Sequence, residues 1–353
     1  MRQPLPPFSC TYSPNIPELL WELGCTLIIS TYQAGKVICL SAPTSDKLIQ
    51  LPRSFPHAMG IGVRQHQLAI ATAEEVVILG KEDTLAWEYP QKPKTYDTLY
   101  VPRATYYTGR VDLHDVEWGG NKLWGVNTIF SCLCHIDDAY SFRPVWKPSF
   151  ISALAPEDRC HLNGLAMIDG QAAYVTALGS TNHAEGWRQN KLHGGVLISV
   201  DSNEILLDGL AMPHSPRVID QHLYFLQSAS GELISYNLKT REKKTVKQFD
   251  GFVRGMDRYG DYLFIGLSKL RTSSSSFRDL PIAQHSNHCG IVVLHLPTAS
   301  IVGQIQYQNS VEELYDVKVL PEVRRPGILS PSQDIHKKAL VLPDTSFWAK
   351  SIS

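Results

Sequence analysis

Four histidines, His57, His114, His161 and His214, stand at or just before short β-like runs that lie far apart in the sequence. Imidazoles delivered from separate elements to one point, with Asp112, Glu313 or Asp316 nearby, suit a divalent transition metal such as iron or zinc. No local ligand motif of the HExxH kind supports them, so the expectation of a metal depends on the fold that gathers them. The densest chemical stretch is Pro156-Glu157-Asp158-Arg159-Cys160-His161-Leu162-Asn163-Gly164. There Arg159 could hold a carboxylate or phosphate while Glu157 or Asp158 moves protons, which makes these three the candidate catalytic set. A loop in which the acids and Arg159 simply pair with their neighbours is the competing reading. Asn163, Trp187, Arg188, Arg254 and Tyr315 are candidate substrate-binding residues: Trp187 and Arg188 offer stacking and charge, and Arg254 has Glu313 or Asp316 as an acidic partner.

The elements that must position these residues are strands. Helical apolar spacing is scarce and best at Pro17 to Leu23, whereas β-like runs between Gly, Asp, Asn and Pro signals come in sets of four. One set starts at His114-Asp115-Val116, the next at Asn163-Gly164-Leu165, a third at Ser215-Pro216-Arg217, a fourth at Arg254-Gly255-Met256. An earlier one runs from His57-Ala58-Met59 to a closing strand near Trp87-Glu88-Tyr89. Four-strand sets at a period of about 40 to 60 residues predict a β-propeller. A sixth blade is expected from the two ends: Leu314 to Val319 has no following partners, while Leu27 to Ser30, Lys36 to Cys39 and Lys47 to Gln50 lack a first strand. Joining them closes the ring and removes exposed sheet edges. The expectation is therefore an all-β, six-bladed propeller in one domain over 1–353, with blades over 25–320 and a wrapping tail over 321–353. A pair of β-sandwiches split near Pro148 leaves the end strands unexplained.

Within that plan, aligning the blades puts Met59, His114, Asn163, His214, Arg254 and Tyr315 at one level of the ring. His57, Asp112, His161, Met212, Phe252 and Glu313 lie two residues earlier. Long segments at about Gln91 to Arg110, Lys147 to Cys160, Ala177 to Gly194 and Ser268 to Cys289 are expected on the face of the mouth, where His183, His193, His285 and His288 also fall. Eight of the thirteen histidines are then on one side.

Composition excludes several function classes. Lys plus Arg is 33 against 34 for Asp plus Glu, so no general attraction to nucleic acid or an anionic membrane is expected. No apolar run is long enough to span a membrane. Three prolines in the first seven residues do not resemble a secretory signal. Seven scattered cysteines read as reduced thiols in a cytoplasmic protein. Ser30 to Lys36 lacks the frame of a phosphate loop and reads as a tight turn. Thr272 and the run Ser273 to Ser276 read as a loop tip.

The stretches Leu27 to Lys36, Val126-Asn127-Thr128, Phe130 to Leu133, Pro156 to Gly164, Met212 to Arg217 and Gly266 to Arg271 resemble a bacterial family known as a conserved domain of unknown function. The resemblance covers nearly the whole chain and implies no reaction or cofactor. More distantly, the six-blade plan resembles gluconolactonase, strictosidine-synthase and NHL-type propellers. The lactonase-like members hold a metal with Glu, Asn and Asp, and the histidine-rich mouth departs from that pattern. The expected function is a metal-assisted enzyme acting on a small organic or peptide-derived substrate. The alternative is a non-catalytic propeller that binds a peptide or partner protein on the same face.

Overall fold

The computed structural model describes residues 4–270, 277 and 279–350. Six sheets of four or five strands, antiparallel except for one added edge strand, make a six-bladed β-propeller. Arg271, Thr272 and Ser273 to Ser276 lie outside the described residues.

The innermost strands, from the first blade to the sixth, are Asp316–Pro321, Ile61–Arg64, Leu113–Gly119, Leu162–Ile168, Pro213–Ile219 and Phe252–Tyr259. The first blade combines Asp316–Pro321 with Cys25–Thr31, Lys36–Thr44 and Lys47–Ser54. Its register pairs Cys25 with Pro321 and Ser30 with Asp316, so both ends of the chain close one sheet. Two blades gain a fifth strand. Cys10–Tyr12 extends the sixth blade beside Ser300–Tyr307, and Pro326–Ile328 runs parallel to Thr98–Tyr100 at the edge of the second.

The second blade departs from the expected layout. Asp83–Trp87 is a short helix, and Thr98–Tyr107 is the closing strand. The run Thr98-Leu99-Tyr100-Val101 is β-branched and aromatic and is buried throughout, while Trp87 is exposed. The segment 83–97 therefore joins third and fourth strands and opens away from the histidine-rich face.

The ring closes by an alternation that strand spacing alone does not reveal. One residue past the level of His114, the six positions read Gly60, Asp115, Gly164, Ser215, Gly255 and Asp316. From even to odd blades the backbones touch. A Cβ on Gly60 would lie 2.8 Å from Asp115 Cα, and one on Gly255, at φ +77°, 2.9 Å from Asp316 Cα. From odd to even blades a side chain bridges instead. Asp115 accepts from the Leu165 N–H (3.2 Å), Ser215 from the Gly255 N–H (3.1 Å) and Asp316 from the Ile61 N–H (2.9 Å). Hydroxyls at the ends of second strands add a further tie. Ser30 donates to the Met59 carbonyl, Thr128 to that of Leu162 and Ser228 to that of Val253. These groups satisfy buried backbone atoms at the blade junctions.

Candidate functional site

The chain turns into the channel through a repeated left-handed residue: His57 (φ 53°), Asp112 (49°), His161 (52°) and Met212 (54°). None is glycine, and such conformations cost about 1–3 kcal/mol each. They swing the two aligned rows together at the mouth. The His114 and His161 rings meet edge to face at 4.7 Å, and His114 lies 5.3 Å from the Tyr315 ring. Tyr315 continues the wall to Tyr32 (6.2 Å), which packs on His57 (5.0 Å). On the other side His161 lies 4.3 Å from Trp187, and His214 faces Phe252 at 6.4 Å. The Arg254 guanidinium covers Tyr315 at 3.5 Å and pairs with Glu313 at 3.6 Å. The expected metal ligands His114, His161 and His214 and the binding residues Arg254 and Tyr315 thus share one mouth. His57 is exposed at its outer edge.

Hydrogen bonds fix the imidazole tautomers. The Thr128 hydroxyl spends its proton on the Leu162 carbonyl (2.6 Å), so at 2.7 Å from His114 Nδ1 it accepts. His114 Nδ1–H also faces the Asp112 carbonyl. His214 repeats this arrangement with Ser228 (2.8 Å) and the Met212 carbonyl (3.0 Å), since Ser228 donates to the Val253 carbonyl. His161 Nδ1 meets the Asp158 carboxylate at 2.8 Å. In all three rings Nδ1 carries a proton, and Nε2 has no hydrogen-bond partner among the described residues. Burial, followed by the proximity of the His161 ring and of the Arg254 guanidinium, holds His114 well below the ordinary imidazole range. Burial and then Arg254 do the same to His214. Burial also raises Tyr315 well above the ordinary phenol value, and raises Asp112 against the pull of Arg110.

The remaining candidates have mixed fates. Asp158 is buried and takes both His161 and the Trp187 indole N–H (2.9 Å), so it orients the ring of His161. Arg159 is tied to Glu157 (2.8 Å) and to Asn182 (2.9 Å), which fastens two rim loops to each other. Trp187 is 2% exposed and forms wall, not platform. Arg188 lies over its outer face at 4.4 Å and pairs with Glu185. Asn163 is buried, its side-chain carbonyl taken by the Thr176 hydroxyl (2.7 Å) and its Nδ2 without a hydrogen-bond partner among the described residues. Among the described residues no group of three His, Cys, Asp or Glu side chains is placed to hold one metal ion. Sequence reading missed Tyr32, Thr128 and Ser228. Their signal was position: Tyr32 lies in a second-to-third strand turn of the mouth's face, and the two hydroxyls follow or end second strands on odd-numbered blades.

Residues 14–329 match the family DUF4915, described as a domain of unknown function. The chain belongs to this family. No curated protein matches it. Among solved structures it is similar to a chain in a crystal structure of a nidogen/laminin complex, at 10% identity and a TM-score of 0.52, covering 84% of this chain and 99% of that one. That likeness concerns the propeller fold. Within this DUF4915 protein all seven cysteines are unpaired, six of them buried. Among the described residues no helix is long and apolar enough to cross a membrane.

Proposed function

We propose that the histidine-lined mouth binds a small organic molecule and that His161, oriented by Asp158, acts there as a general base. The observation that carries this reading is the shared tautomer of His114, His161 and His214, which presents three Nε2 lone pairs from three successive blades. A neutral imidazole backed by a buried carboxylate is suited to accept a proton, because the carboxylate stabilises the imidazolium that forms. Arg254 supplies the positive charge against which an anionic part of the ligand would lie, and Asn163 Nδ2 a donor for a ligand oxygen. Unpaired cysteines support a reducing, cytoplasmic setting.

A metal-assisted reading of the same mouth has one specific observation in its favour: ligand histidines commonly donate the other ring N–H to a carboxylate or carbonyl, as these three do. It requires the imidazoles to draw closer than they stand. Thermal-shift measurements against a collection of small carboxylates, amines, polyols and short peptides, with and without iron, zinc or manganese, test both readings. The base reading expects a metal-free stabilising compound whose effect is lost in His161→Ala and weakened in Arg254→Ala. Stabilisation by metal alone, lost in His114→Ala and His214→Ala, replaces it with the metal reading. A peptide as the sole stabilising ligand, indifferent to His161→Ala, leaves a non-catalytic binding propeller.

A further inference from the structure

We propose that the opposite end of the channel is a second binding site, built for a small molecule that carries two or more negative charges, such as a phosphate monoester or a dicarboxylate. It does not depend on the reading of the histidine mouth. A cavity of about 440 Å³ opens there between the first, second and sixth blades, a size that suits a small ligand. Its floor holds two cations, Lys318 buried and Arg217 partly buried. Lys318 is bonded to the Glu117 carboxylate, and Arg217 lies 3.8 Å from the same carboxylate and 3.5 Å from Asp115.

The rim supplies three more cations, Arg64, Lys81 and Arg258. Arg64 is stacked on Trp118 at 3.9 Å and bonded to Gln67, so its planar head is already ordered. Arg258 lines the cavity, and its Nε donates to the Gly260 carbonyl (2.8 Å), which anchors the side chain at the rim. None of these three rim cations has an ion-pair partner among the described residues, although most arginines elsewhere at channel and rim do. Glu117, Asp115 and Asp316 offset the two floor cations, so the uncompensated positive charge is that of the three rim cations, against which the wall carries Asp257 and Glu322. Asp257 is spent on backbone: its oxygens accept from the Val319 N–H (2.8 Å) and the Arg258 N–H (3.0 Å). Tyr100 and Tyr259 provide a flat, partly apolar wall for the body of the ligand. Ordered cations above, with the negative side already satisfied internally, favour a polyanion over a neutral guest.

Isothermal titration calorimetry in buffers of matched ionic strength tests this with inorganic phosphate, glycerol 3-phosphate and succinate. Saturable one-site binding of at least one of them is expected, and which one identifies phosphate or carboxylate as the preferred group. Lys81→Ala and Arg258→Ala should each weaken it by about tenfold, the usual worth of one charge-assisted hydrogen bond. Both side chains stand on the rim, so the melting temperatures of the free variants should stay near that of the parent. His161→Ala should leave the binding unchanged. Absence of saturable binding of all three anions, binding indifferent to both rim substitutions, or binding lost in His161→Ala overturns the proposal.

Discussion

A chain that begins at Phe55 is expected to show no cooperative melting transition and to be recovered as aggregate. Removing residues 1–54 deletes three of the four strands of the first blade and leaves Asp316–Pro321 as an unpaired strand inside a broken ring. It also removes Ile16, Leu20, Leu27, Ile28, Ile29, Val37, Ile38 and Leu40, each 0–1% exposed. At about 2 kcal/mol per buried apolar side chain, their loss exceeds the roughly 5–15 kcal/mol by which a folded domain is stable. The damage spreads beyond one blade, because Ile16, Leu27 and Ile29 pack in one cluster with Phe264, Ile291 and Val293 of the sixth. Ile28 and Val37 pack with Ile61, Leu68 and Ile70 of the second. Calorimetry on the truncated chain gives the answer. A soluble product with a single sharp transition would mean that the ring does not need its shared blade.

The double variant His114→Asn/His214→Asn should differ from the parent mainly in its response to acid. Asn keeps an amide N–H near the place of Nδ1–H but has no proton to gain. In the folded protein both imidazoles are held neutral well below their ordinary range, chiefly by burial. In the unfolded chain they protonate near pH 6.5. As pH falls below that value the unfolded state takes up protons that the folded state refuses, so folding free energy is lost on acidification. The parent should therefore lose stability relative to the variant between pH 6.5 and 5, by at most about 3 kcal/mol for the two imidazoles together. Above pH 7 the two curves should run parallel. The difference is the informative quantity because acids at the channel centre push the other way. Asp115 is raised by burial to about 6, so it contributes stability that is lost as pH rises through that value, and burial raises Asp257 and Asp316 in the same direction. Urea titrations at a series of pH values measure it. Parallel curves from pH 5 to 8 would show that neither ring is kept neutral by the fold.

Much of the architecture is legible in the chain because a propeller repeats its signals. Period-two runs bounded by turn residues recur blade after blade, and the unmatched strands at the two ends point to a shared blade. The alignment of His114, His214, Arg254 and Tyr315 on one level also follows from that repeat. The second blade was misread at its fourth strand because Trp87-Glu88-Tyr89 looks β-like locally. Burial of Leu99 and Val101 decides the matter, and burial depends on neighbours remote in sequence. Arg159 and Trp187 carry the composition of a ligand contact, yet one is spent on Glu157 and Asn182 and the other on Asp158. Which partner a charged or indole group finds is set by loop paths that periodicity does not encode. The opposite mouth was invisible for a related reason: Glu117, Arg217 and Lys318 are each an ordinary polar residue in an alternating strand, and only the closed ring makes them face one another.

His114, His161 and His214 bring imidazoles protonated on Nδ1 together at one mouth. Long-range nitrogen–proton NMR on protein with ¹⁵N-labelled histidine reads this directly, with His→Asn variants assigning the signals. At pH 7.5 all three rings should show a protonated Nδ1, and His114 and His214 should keep an unprotonated Nε2 down to pH 6. An unprotonated Nδ1 on any of the three at pH 7.5, or imidazolium signals from His114 or His214 at pH 6, would contradict this arrangement.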